Sequence, residues 1–177
     1  MSQDQDQVSI DERREMMELS ADAAQRVAKA KDHILSHLPD ALDRFYGKVA
    51  TSPTLKSFFE SDQMQQSARE RQTTHWERIA DGAWDEEFLR AGRKVGHVHA
   101  AIGLDLKYYV SGYALVAENL IKGVMLDMLA EGKGRKGRFG LGGKSNSDGA
   151  DEVAQTVADM MKVLMLDMEL AISSYVH

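Results

Sequence analysis

Six histidines, His33, His37, His75, His97, His99 and His177, are the side chains of this sequence best placed to do chemistry near neutral pH. Cysteine is absent, which excludes disulfides, thiolate zinc sites, a cysteine nucleophile and cysteine-bound iron–sulfur clusters. No His-Glu-x-x-His motif occurs, and no Glu-x-x-His pair, so the signatures of zinc proteases and of di-iron bundles are missing. His33 and His37 are four apart, a spacing that can bind a metal on one helix face, but no third ligand lies near them in sequence. His97 and His99 are two apart, and on a helix they diverge by roughly 200°. Only one of them can therefore face a given pocket. A neutral imidazole turned to an apolar cavity can ligate heme iron, with Val95, Val98, Ile102 and Leu104 as walls. The same pattern suits a hydrogen-bonded core histidine, and spacing alone leaves both open.

These side chains need elements to position them. The chain has 177 residues, 43% of them apolar, with 22 basic and 28 acidic side chains and a net charge of -6. That is the size of one soluble domain, which buries roughly 70% of its unfolded surface around a single core. The acidic balance argues against nucleic acid as a partner. Apolar runs such as Val163-Leu164-Met165-Leu166 fall far short of the roughly 20 residues a membrane span requires. The first dozen residues carry Asp4, Asp6, Asp11 and Glu12 and resemble no secretory signal, so a cytoplasmic protein is expected.

With two prolines, 10 methionines and no turn-bounded β-branched runs, the composition is helical. Helices are expected over about residues 8 to 18 and 20 to 37, the second capped by Ser20. Pro39 should open a third helix, to about residue 51, and Pro53 a short one through Leu55, Phe58 and Phe59. Longer helices follow over about 61 to 81, 85 to 102 with Gly103 past its end, and 106 to 130 with Asp105 as cap. In the last of these, Tyr109, Tyr113, Val116, Leu120, Val124 and Met128 mark one buried face. Residues 131–150 hold seven glycines among Lys133, Arg135, Lys136, Arg138 and Lys144 and read as a mobile loop. Within it, Gly132 to Gly137 matches G-x-G-x-x-G without a preceding strand, and Gly143-Lys144-Ser145 lacks the earlier glycine of a phosphate loop. Both are chance matches. Asp151 then caps a final helix with Val153, Val157, Met160 and Leu164 on one stripe and Met161, Met165, Met168 and Ile172 on the next. So broad an apolar surface can pack internally and still leave a strip for a second copy of the chain.

Val95-Gly96-His97-Val98-His99-Ala100-Ala101-Ile102-Gly103-Leu104 followed by Lys107-Tyr108-Tyr109-Val110-Ser111-Gly112-Tyr113 closely resembles the heme-ligand segment of the globin-coupled sensors, a family of heme-based gas sensors. Upstream, Phe45-Tyr46, Pro53, Leu55, Phe58-Phe59, Gln72, His75-Trp76, Gly82 and Phe88 follow the family pattern in order and spacing. The resemblance is closest from about Ala41 to Tyr113. It departs from the family at Ala101, Leu106 and Tyr108, where arginine, proline and tryptophan are common, and at Ala68 and Arg71, near positions that often hold leucine and a small hydroxyl residue.

The resemblance implies an all-α globin fold with an extra N-terminal helix, dimeric through the last two long helices. The whole chain, 1–177, would be one sensor domain: N-terminal helices over 1–38, a heme-binding core over 39–130, the loop over 131–150, and a dimerisation and signalling helix over 151–177. It implies heme b (iron protoporphyrin IX) held by His99, with Tyr46 as distal donor. Phe45, Phe59, Ala68, Gln72, Trp76, Val95, Val98, Leu104, Tyr109 and Tyr113 would line the pocket, with Arg71 or Gln72 a second donor. The implied ligand is O2, with CO and NO as further candidates. Negative charge on the ligand draws a phenol hydrogen bond of about 1–3 kcal/mol, roughly 5- to 150-fold in oxygen retention. The last helix has no stop signal, so a C-terminal output domain outside this chain is expected, and no catalytic residue within it. Met165 to Ile172 resembles the link to chemotaxis output, which favours an aerotaxis transducer. A diguanylate cyclase or histidine kinase output, or a free-standing globin that carries oxygen or destroys nitric oxide, are the alternatives.

Overall fold

The computed structural model describes the backbone of residues 9–136 and 146–175, and no side chain between 133 and 148. Among the described residues every element is a helix: α1 (Ile10–Met16), α2 (Ala21–Lys29), α3 (Lys31–Thr51), α4 (Pro53–Lys56), α5 (Asp62–Ala80), α6 (Glu86–Ala101), α7 (Leu106–Lys136) and α8 (Asn146–Ser173). No helix among them is long and apolar enough to cross a membrane.

The helix starts follow the capping chemistry of the sequence. Ser20 accepts from the Ala23 amide at 3.2 Å, Ser52 from Leu55 at 3.3 Å with Pro53 behind it, and Asp105 from Lys107 at 2.9 Å. The expected break at Pro39 is absent. Pro39 lies inside α3 on its exposed side, while Ile34, Leu38, Ala41, Leu42, Tyr46 and Val49 form one buried stripe that runs past it. Burial of that stripe outweighs the roughly 3 kcal/mol of a proline inside a helix. The break falls instead at Ala30, a residue with no sequence mark of a helix end.

The glycine-rich stretch is shorter than expected as a connection. α7 continues to Lys136 and α8 begins at Asn146, so helix takes up both ends of 131–150, and 137–145 lie outside the described residues. The described part of α8 extends to Ser173. Ser173 and Ser174 turn their hydroxyls back to the Leu170 carbonyl at 2.9 and 3.2 Å, and the chain tightens through Ser174 and Tyr175. Val176 and His177 lie outside the described residues.

The core is a sandwich of long helices. α7 lies against α3 and α8, and α6 crosses α8. That crossing depends on Gly96: a Cβ there would stand 2.0 Å from the Ala171 carbonyl oxygen, so only glycine admits the approach. On α7 the expected face is buried from Tyr109 to Val124, with Met128 half-buried. On α8 the buried face is Val153, Thr156, Asp159, Met160, Val163, Leu164, Leu166, Asp167, Leu170 and Ala171. Met161 and Met165 of the expected second stripe stand outside it, 46% and 56% exposed.

Two buried carboxylates on this face tie α8 to other helices. Asp159 takes Arg26 of α2 at 2.6 Å, and Asp167 takes His75 of α5 at 2.9 Å. At the surface Arg13 of α1 pairs with Glu169 at 2.8 Å.

Candidate functional site

His99 sits in the last turn of α6, and the residues after it fix its place. Ile102 ends the helix, Gly103 follows at φ +73, the Gly103 amide donates to the Ala100 carbonyl at 3.0 Å, and the Leu104 amide donates to the His99 carbonyl at 3.0 Å. These two bonds make a complete Schellman motif. Gly103 supplies the left-handed residue and Leu104 the apolar one that packs back against the core. The Ile-Gly-Leu sequence is thus the device that stops α6 three residues beyond the histidine.

The His99 imidazole lies 5.2 Å from the Tyr109 ring, which lies 6.0 Å from Tyr113 and 6.1 Å from Tyr175. Burial lowers the His99 pKa below the ordinary histidine value, so the ring is neutral. Its Nδ1 is buried and, among the described residues, has no hydrogen-bond partner. His97 points elsewhere: it is exposed, and its Nδ1–H donates to the Arg93 carbonyl of its own helix at 2.8 Å.

Tyr46, on α3, is 8% exposed and packed between Phe45 at 5.0 Å and Phe59 at 6.1 Å. Its hydroxyl donates to Gln72 Oε1 of α5 at 2.8 Å. Burial pushes its pKa up to about 12, partly offset by Arg69 and Arg71, so the phenol keeps its proton across the working pH range. Arg71 is on the exposed side of α5 and Ala68 is half-buried. Trp76, one turn after Gln72, is buried at 5.2 Å from Tyr113. Val95 and Leu104 pack at the margin of the core, whereas Val98 is 50% exposed.

Two groups thus gather. His99, Tyr109, Tyr113 and Trp76 form one continuous set of rings, and Phe45, Tyr46, Phe59 and Gln72 form the other. They suit heme by their chemistry: a neutral imidazole on α6, a protonated phenol on α3, and apolar walls. Near His99, Ile102 is 48% and Leu106 37% exposed, apolar surface that an apolar ring can cover.

The sequence pattern of the Protoglobin family matches residues 6–177. The chain belongs to that family. Heme is the cofactor of protoglobins and of sensor globin domains, and it is the cofactor here. The fold is that of the globin domain of a Geobacter sulfurreducens globin-coupled sensor, similar at a TM-score of 0.78 with 16% identity, over 97% of this chain and 100% of that one. The globin domain of Escherichia coli DosC, solved in a ferric and a ferrous form, is similar at 0.67 with 17% identity in each, over 93% of this chain and 97% of that one. No curated protein matches the sequence.

Other expected groups fall outside the pocket of this protoglobin. His33 and His37 do meet partners that sequence spacing did not reveal, Asp127 and Glu131 of α7. His37 Nε2 is 2.8 Å from Asp127, and His33 is 3.3 Å from Asp127 and 3.4 Å from Glu131. They clamp α3 to α7, and among the described residues no group of three or more is arranged to hold a metal ion. Asp167, not among the candidate residues of the sequence, is a further member of the pocket region: its carboxylate joins His75 and Tyr113. The available signal was an acidic residue on the apolar stripe of the last helix.

Proposed function

We propose that this protoglobin is the gas-sensing domain of a signal transducer, with His99 as the heme ligand and Tyr46 as the donor to bound O2. The pairing of a neutral imidazole on α6 with a protonated phenol on α3, in a chain of this family, carries that reading. Heme, when held by His99, would supply an iron that binds a diatomic gas and passes electron density to it.

The chain's own residues do the rest. Burial keeps His99 unprotonated, so no proton competes for the imidazole. Tyr46 offers its hydroxyl hydrogen, at present given to Gln72, to a ligand that gathers negative charge, which selects O2 over CO. Phe45 and Phe59 hold the phenol ring in position and keep water from it. NO is a further candidate ligand.

Met125, Leu126 and Leu129 on α7 and Met161 and Met165 on α8 are exposed apolar side chains, and they support a homodimer formed through these two helices. The likeness of Met165 to Ile172 to a chemotaxis link supports an aerotaxis output beyond α8. Gas binding then biases two packings of the dimer.

Hydrogen exchange of the heme-loaded protein with and without O2 tests this role. A sensor changes protection along α7 and α8 on oxygenation. A free-standing oxygen carrier changes it only around Tyr46 and His99.

A further inference from the structure

Asp167 is a carboxylate in the middle of the apolar face of α8, with a side chain 2% exposed, flanked in the core by Leu166 and Leu170. A buried charge of this kind persists only where partners compensate it. Two do so from two other helices: His75 Nε2–H of α5 at 2.9 Å and Tyr113 Oη–H of α7 at 3.0 Å, both to Oδ2. From α6 Gly92 approaches it, where a Cβ would stand 3.5 Å from Oδ1. Four helices therefore converge on one carboxylate.

Both of its partners lead to the gas pocket. Tyr113 lies 6.0 Å from Tyr109, and Tyr109 lies 5.2 Å from the His99 imidazole. His75 is next to Trp76, whose ring is 5.2 Å from Tyr113, and it is one turn beyond Gln72, the partner of Tyr46. Two turns after Asp167, Tyr175 returns to the same set of rings, 6.1 Å from Tyr109. α8 and the turn that follows it thus touch the histidine's ring stack at two points, one polar and one aromatic.

We propose that Asp167 is a positioning residue for gas binding: from α8 it fixes Tyr113 and, through Tyr109, the orientation of the His99 imidazole. α8 and the heme ligand consequently move together, which makes this carboxylate the point at which α8 responds to the gas. The proposal rests on the assignment of His99 as the heme ligand. A polar group that merely held the core together would affect stability and leave the histidine's bond to iron untouched.

Resonance Raman spectra of the reduced, heme-loaded protein separate these cases, since the iron–histidine stretching band reports the orientation of that imidazole. Asp167→Asn keeps the side-chain volume and removes the charge, and Tyr113→Phe removes a single hydrogen bond. Both should shift the band in the same direction, and the double variant should shift it no further than Asp167→Asn alone, because the two act along one path. Oxygen affinity should change by about fivefold or more, the low end of coupling between distinct sites. Tyr113→Phe decides the matter by itself if Asp167→Asn does not fold. An unmoved band and unchanged oxygen affinity in a folded variant with lowered thermal stability would overturn the proposal. Failure of the native protein to show an iron–histidine band at all would instead remove the assignment of His99.

Discussion

On the proposed role of Tyr46 as donor to bound oxygen, Gln72 restrains that donor, and removing it should tighten oxygen binding. The Tyr46 hydroxyl gives its hydrogen to Gln72 Oε1 at 2.8 Å, so serving a gas ligand means giving up or sharing that bond. A neutral hydrogen bond of this kind contributes about 0.5–1.5 kcal/mol net, and Gln72→Leu, which frees the phenol, should slow oxygen dissociation by about 2- to 13-fold. Tyr46→Phe should speed it by roughly 5- to 150-fold, the full worth of a bond to a partly charged acceptor, and adding Gln72→Leu to it should change little further. Carbon monoxide, which gathers little charge, should respond weakly to either change. Stopped-flow oxygen dissociation and carbon monoxide recombination on the ferrous protein measure both. Because the phenol pKa is pushed up to about 12, native oxygen dissociation should be flat from pH 6 to pH 9 as far as Tyr46 is concerned. Faster oxygen dissociation in Gln72→Leu would refute this scheme, since it would make the Gln72 amide the donor.

Three other outcomes follow from the packing. Gly96→Ala places a methyl group against the Ala171 carbonyl, where a Cβ has only 2.0 Å, and should destabilise the α6–α8 crossing by about 1–3 kcal/mol or more in urea unfolding. The His75–Asp167 pair should give a pH-dependent stability. Burial lowers the His75 pKa, but the charge and hydrogen bond of Asp167 more than offset it, so the folded value lies above the ordinary 6.5. The stabilisation is therefore complete below pH 6.5 and disappears as pH rises through the folded value, and this part of the Tm profile should be missing in Asp167→Asn. Leu126→Glu together with Met165→Glu should convert a dimer to monomers in sedimentation, whereas an unchanged sedimentation coefficient would place any interface elsewhere.

Much of this molecule is legible in its sequence because local chemistry and packing agree there. Ser20, Pro53 and Asp105 announce helix starts that the structure keeps, and Gly103 announces an end that its positive φ requires. The α7 stripe from Tyr109 to Val124 is readable because period and burial coincide. Pro39 misleads because the buried stripe of α3 continues past it, and the break at Ala30 leaves no local mark. The glycines of 131–150 mislead in the same way, since helix persists to Lys136 and resumes at Asn146. In the pocket, helical geometry says only that one of His97 and His99 can face inward, and it is the resemblance of the Ile-Gly-Leu segment that points to His99. The Tyr46–Gln72 bond and the Asp167 network are not readable, because each joins residues on different helices, 26, 92 and 54 positions apart.

The assignment of the heme ligand is tested most directly by visible absorption of the reduced protein with and without oxygen, native chain beside His99→Ala. A five-coordinate ferrous heme that shifts reversibly with oxygen in the native protein, and loss of that heme in the variant, is the result this account predicts. A native protein that takes up no heme on reconstitution, or a variant whose spectra match the native ones, would contradict it.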